Sequence, residues 1–146
     1  MRIYMDNCCF NRPYDEQTNI TNSLETQAKL VIQELIKSGR YDLVSSEILE
    51  YEINASPYIE QSAVIRAYIG KYASFKVGEK RAKDVEAKAA EIMKTGVKYK
   101  DALHVASAII ADCEYFISVD KRLLKYDTDE IKLVNPIAFV SETEGK

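Results

Sequence analysis

The chain predicts an α/β layered fold with a mainly parallel central sheet. Three observations carry this reading. Short β-branched or aromatic runs stand at Arg2–Met5, Tyr41–Ser45, Tyr115–Val119 and Ile131–Val134; longer stretches of helical periodicity separate them; and Asp101–Cys113 is apolar nearly all round. Strands alternating with helices pair most simply as parallel neighbours with helices on the sheet faces. The 146 residues, 47% apolar and 29% charged, suit one globular domain, expected over residues 1–140, with 141–146 as a flexible tail.

The elements follow in order. Arg2–Met5 (RIYM) reads as a buried strand ending at Asp6, and Asn7–Asn19, with Pro13 and alternating charges, reads as a loop. From Ile20 to Lys37 the apolar residues Leu24, Ala28, Val31 and Leu35 recur at helical spacing, and Gly39 stops the helix. After the second strand, Ser46 is placed to cap a helix whose first residue, Glu47, suits the helix dipole; Pro57 breaks it. Tyr58–Phe75 is again helical, and Tyr58, Tyr68 and Tyr72 on it are expected to make core or dimer contacts. Lys83–Lys94 is rich in helix formers and ends at Gly96, while the alternating charges of Glu79–Lys94 predict a solvated face. Ala102, Ala106, Ser107 and Ala108 would let the apolar helix lie close to the sheet.

Several function classes are excluded or weakened. Cys8, Cys9 and Cys113 are odd in number, and two are adjacent, which does not make a disulfide framework. His104 is the single histidine, so finger-type zinc chemistry is disfavoured, and with no G-x-S-x-G stretch a Ser-His-Asp hydrolase is poorly supported. No apolar run approaches the ~20 residues of a membrane span. The opening MRIYMDNCC lacks the apolar core of a signal peptide, so the expected location is the cytoplasm, with no membrane partner.

The acids carry the chemical expectation. In open parallel sheets, ligands bind outside the carboxyl ends of the strands, where the strand order reverses. Asp6 follows the first strand, and Asp120 lies just past the third. Glu52 lies one turn beyond Ile48 and three residues after Leu49, on or beside the apolar face, where a carboxylate needs a partner; Glu47 and Glu50 are its alternatives. Asp101 opens the apolar helix, where the dipole favours an anion. Clustered carboxylates repel, and a hard cation such as Mg²⁺ or Mn²⁺ removes that repulsion, activates water and clamps phosphodiester oxygens. Setting the four acids aside takes the net charge from −3 to +1, and Arg12, Lys98, Lys100, Lys121 and Arg122 flank the expected site as phosphate contacts. Each acid also has a plain structural role to weigh: a turn or helix cap for Asp6, Asp101 and Asp120, and a surface ion pair for Glu52. His104, three residues after Asp101 on the same helix face, either orients a water or carboxylate or is a hydrogen-bonded core histidine. The Cys8–Cys9 pair reads as packing.

The segments RIYMD, VSSEILEYEI, KDALHVASAIIA and FISVDKRL, in this order, resemble the PIN domain, a family of metal-dependent ribonucleases. The resemblance runs from residue 2 to residue 140 and implies a three-layer α/β/α fold. The family's Asp, Glu, Asp, Asp pattern falls on Asp6, Glu52, Asp101 and Asp120, and Ser118 matches the Thr or Ser that helps orient the site. Where members often carry Thr or Ser and then Asn after the first acid, this chain has Asn7 and Cys8; where some place a fifth acid, it has Lys121 and Arg122. The loop DNCCFNRPYDEQ is similar to that of a prokaryotic subgroup distinct from the usual toxins. The resemblance implies an endoribonuclease that binds Mg²⁺ or Mn²⁺ through the four acids, with Asn7, Ser118 and His104 in support. It also implies an RNA substrate, 5′-phosphate and 3′-hydroxyl products, and a homodimer. The other readings are an RNA- or protein-binding module without hydrolysis, and the toxin half of a pair with an antitoxin partner.

Overall fold

A computed structural model describes residues 1–145. Five strands, β1 (Arg2–Met5), β2 (Asp42–Ser46), β3 (Ala73–Val77), β4 (Tyr115–Ile117) and β5 (Lys132–Val134), form one sheet in the order β3-β2-β1-β4-β5, every pair parallel. The helices are α1 (Asn7–Asn11), α2 (Ile20–Lys37), α3 (Glu47–Ala55), α4 (Ile59–Tyr72), α5 (Ala82–Met93), α6 (Tyr99–Ile110) and α7 (Pro136–Glu144). This is a three-layer α/β/α fold.

Strand alternation builds the layers. Ile3, Met5, Leu43, Tyr115 and Ile117 point to one face, where they meet Ile32 and Ile36 of α2, Ile65 and Ile69 of α4, and Phe139 of α7. Tyr4, Val44, Val77 and Phe116 point to the other and pack on α5 and α6. The small face of α6 is fully buried at Ala102, Ala106 and Ala108, as the composition of that segment predicts. No helix among the described residues is long and apolar enough to cross a membrane.

Four elements differ from the sequence expectation. The helix expected over Tyr58–Phe75 ends at Tyr72, and Ala73–Val77 becomes an edge strand on β2. Phe75 falls three residues after Tyr72 and so prolongs the helical spacing, masking a short alternating strand. The expected loop Asn7–Asn19 begins as helix α1 and continues as a 3-10 turn at Arg12–Tyr14. On α2 the buried stripe is Glu25, Lys29, Ile32 and Ile36, while Leu24 and Val31 of the expected face are exposed. The folded loop sets that orientation: it brings Arg12 Nε to 3.3 Å from Glu25 Oε1 and Phe10 under Lys29 Nζ. Residues 141–144 of the expected tail complete α7, where Glu144 accepts hydrogen bonds from Arg40 and Tyr41, and Glu142 accepts one from Tyr115. Residue 146 lies outside the described residues.

Candidate functional site

The chain leaves β1 toward β2 on one side of the sheet and leaves β4 toward β5 on the other. A crevice therefore opens between the carboxyl ends of β1 and β4. Asp6 stands on one lip. It is 4% exposed, and its N–H donates to the Ile117 carbonyl at 3.2 Å. Its carboxylate caps α1: Oδ1 accepts from Cys9 N–H at 3.1 Å and from the Cys8 thiol at 3.0 Å. On the other lip the Ser118 hydroxyl accepts from Asp120 N–H at 3.0 Å. Asp120 Oδ1 in turn accepts from Arg122 N–H at 2.9 Å and Leu123 N–H at 3.3 Å, so it caps the turn at 121–123 that leads into the 3-10 segment Leu123–Lys125. The capping roles of Asp6 and Asp120 are thus present together with their place at the crevice.

Asp101 is the third residue of α6 rather than its opening one, and the N-cap position is Lys98. It caps nothing: among the described residues no hydrogen bond reaches its carboxylate. Glu52 projects from α3. The neighbouring acids Glu47 and Glu50 turn the other way and pair with Lys76 at 3.6 and 3.0 Å. Asp6, Glu52, Asp101 and Asp120, with Asn7, Cys8 and His104, line one hollow of about 610 Å³. A second hollow and a third adjoin it, and Asp101 lines all three. Lys98, Lys121 and Arg122 line the second, and Lys98, Arg122 and Lys125 the third.

Two of the expected phosphate contacts are placed otherwise. Lys100 lines none of these hollows and lies 5.7 Å from the centre of the Tyr51 ring. Arg12 does reach the hollow, but its Nη1 is already bonded to Asp15 at 3.0 Å and Asn22 at 2.8 Å. Asn7 is likewise engaged within α1, accepting from the Asn11 amide through both its backbone and side-chain oxygens.

The electrostatics are those of acids short of positive charge. Burial pushes the Asp6 carboxyl above its ordinary range, partly offset by hydrogen bonds from Cys8 and Ser118 and by the nearby His104. Asp101 is also raised, first by burial and then by repulsion from Asp120, with a smaller push from Glu52. Burial and Asp6 drive the Cys8 thiol far upward, so it is a neutral donor to Asp6 and not a nucleophile.

His104 is 3% exposed and joins a buried chain of polar groups. Its Nε2 lies 2.6 Å from Glu52 Oε1, and its Nδ1 lies 2.6 Å from Tyr4 Oη. Tyr4 Oη is also 2.6 Å from Ser46 Oγ, which accepts the capping bond from Leu49 N–H at 3.1 Å. With a neutral imidazole, one proton arrangement satisfies every member: Ser46 donates to Tyr4, Tyr4 to Nδ1, and Nε2–H to Glu52. Glu52 is thereby held from beneath by two strands and a helix of the core, β1, β2 and α6.

The donor set is one of hard oxygens that repel each other at the edge of a polar hollow, which suits a hard divalent cation. Among the described residues, however, no three Asp, Glu, His or Cys side chains gather closely enough to close a metal shell as they stand. Each acid but Asp101 is turned to its own local donor, the arrangement that mutual repulsion favours. Sequence reasoning placed Ser46 as the cap of α3, as the structure has it, but missed the Cys8 contact with Asp6 and the bond that ties Ser46 to Tyr4. Of the core or dimer contacts expected for Tyr58, the structure removes the first: the residue is 65% exposed and lines the hollow, a place the sequence did not signal. Cys8 had a signal in its place two residues after Asp6; Tyr4 had none, being one apolar-looking residue in an apolar strand. No family model matches this chain, and no curated protein matches it.

Proposed function

We propose that the chain is a metal-dependent endoribonuclease of the PIN type. The observation that supports this most is the convergence of Asp6, Glu52, Asp101 and Asp120, from four separate segments, on one hollow at the reversal point of the sheet. Asp6, Asp101 and Asp120, with Glu52, would hold Mg²⁺ or Mn²⁺. A divalent cation so placed supplies water activation and offsets the charge of the phosphodiester during in-line attack. The chain's own groups do the rest. The Cys8 thiol and the α1 amide of Cys9 fix the Asp6 carboxylate, Ser118 holds the backbone of Asp120, and the His104 chain fixes Glu52. Lys98, Lys121 and Arg122 line the neighbouring hollow with no ion-pair partner among the described residues, and they would take backbone phosphates. No histidine base is needed.

The proposal includes a homodimer, on the exposure of Leu24 and Val31 from α2 and Ile59 and Val64 from α4. A binding module is the second reading, favoured by the engagement of three of the four acids with local donors. Cleavage of a mixed RNA pool separates the two. Wild type should cut with Mn²⁺ or Mg²⁺ and not with chelator, and Asp101→Asn should not cut. Absence of metal-dependent cutting by wild type, or equal cutting by both, refutes the nuclease.

A further inference from the structure

The hollow that holds the acids is chemically lopsided. On one side it shares Asp101 with the two neighbouring hollows, which carry Lys98, Lys121, Arg122 and Lys125 beside their acids. Tyr14, Tyr58 and Gln61 line the first hollow and neither of the others. Both tyrosines are exposed, at 45% and 65%, and neither hydroxyl has a hydrogen-bond partner among the described residues. Gln61 is a half-buried residue, and its carboxamide is equally without a partner among the described residues. Tyr14 ends the 3-10 turn after α1, and Tyr58 sits at the start of α4, so both are carried on backbone fixed by ordered turns.

Neither ring belongs to a core cluster, so both remain available to a ligand in the hollow. The volume of about 610 Å³ falls within the size of small-ligand sites. Bases of single-stranded RNA stack on such rings and offer their edges to carboxamides, whereas a duplex keeps both faces of each base covered. Charge on one side of the acids and aromatic rings on the other is the division a polynucleotide requires: phosphates along the cations, a base between the rings.

Resting on the nuclease reading of the acids, we infer that Tyr14, Tyr58 and Gln61 form a nucleobase pocket that holds an unpaired nucleotide next to the phosphodiester to be cut. The substrate is therefore single-stranded at this position.

The test measures binding by fluorescence anisotropy in Mg²⁺, with Asp101→Asn as the parent protein. The probes are a labelled single-stranded RNA octamer, the same octamer with abasic sites, and its duplex. The intact octamer should bind more tightly than both. Tyr14→Ala and Tyr58→Ala should each weaken the intact octamer about tenfold, within the range of a lost base stack, and leave the abasic one unchanged. Tyr58→Phe should bind as the parent does, since stacking needs the ring and not the hydroxyl, and Gln61→Ala should flatten differences among octamers of the four bases. Both tyrosines are exposed, so thermal unfolding should not change with either substitution. Equal binding of intact and abasic octamers overturns the pocket, as does an alanine effect of the same size on both. If wild type cuts RNA but shows no base dependence, the pocket fails and the nuclease stands. If the parent binds bases as described but wild type never cuts, the nuclease fails and the pocket stands.

Discussion

Tyr4→Phe tests the buried chain beneath Glu52 with the loss of a single oxygen. The ring keeps its stack on Phe116, whose centroid lies 5.3 Å away, so packing changes little. What is lost is the hydroxyl bridging Ser46 Oγ and His104 Nδ1, all three groups lying within the core. Ser46 then has a hydroxyl proton without an acceptor, and Nδ1 loses its donor. A buried polar group left without a partner costs about 1–3 kcal/mol, so the two together cost about 2–6 kcal/mol. For a chain of this length the melting temperature should fall by about 5–15 °C. Thermal unfolding followed by circular dichroism reads this directly. Tyr99→Phe is the control, because that hydroxyl donates to Glu86 on an exposed surface, and its removal should leave the melt unchanged. A Tyr4→Phe melt indistinguishable from wild type would show that the chain carries no energy and that Glu52 is not held through it.

Further outcomes follow from the same structure. Glu52→Gln keeps an oxygen for His104 Nε2–H but loses the charge, so its melt should match wild type while metal-dependent cleavage of RNA falls at least tenfold; a large loss of stability would contradict the arrangement. The folded-state carboxyl of Asp101 is raised above the ordinary 3.8, so it favours the protonated form, and its contribution to stability is present below that value and lost as pH rises through the folded one. Metal-free Asp101→Asn should therefore melt above metal-free wild type at pH 7, with the gap closing below pH 3.8, and Mn²⁺ should stabilise wild type more than the variant. Lys29 is the reverse case: burial lowers it to about 8, so at neutral pH its charge is carried at a cost that fades as pH rises toward its ordinary 10.5. Lys29→Met should stabilise the protein at pH 7 by on the order of 2 kcal/mol, less at pH 10, as read by chemical denaturation. Leu24→Glu with Val31→Glu should convert a dimer to a monomer in sedimentation velocity; a wild type that is monomeric at 50 μM, on the order of ordinary working concentrations, refutes the dimer.

How much of this was legible in the sequence depends on the range of the contacts involved. β1 declares itself in four residues because both of its faces are covered, and α6 because its small side chains lie against a sheet. The face of α2 was misread because Leu24, Ala28, Val31 and Leu35 form the more apolar stripe, while the buried one carries Glu25 and Lys29, partnered by Arg12 and Phe10 of a loop that no helical pattern announces. At the site, the apolar neighbours of Glu52 single it out from Glu47 and Glu50; Glu52 lines the hollow, while the other two pair with Lys76. Lys98 and Lys100 could not be ranked without the path of the chain into α6. The link from Ser46 through Tyr4 to His104 spans three distant segments whose side chains meet only once the sheet has formed, and a single sequence carries no trace of it.

In the nuclease proposed above, the acids at the carboxyl edge of β1 and β4 share a divalent cation. Crystals grown with Mn²⁺, with anomalous scattering measured at the manganese edge, test it most directly. Anomalous density is expected in the hollow between Asp6, Asp101 and Asp120, with the carboxylate of Asp101 as a ligand, and it should be lost in Asp101→Asn. No density in that hollow with Mn²⁺ in excess, or manganese bound only elsewhere on the molecule, would contradict it.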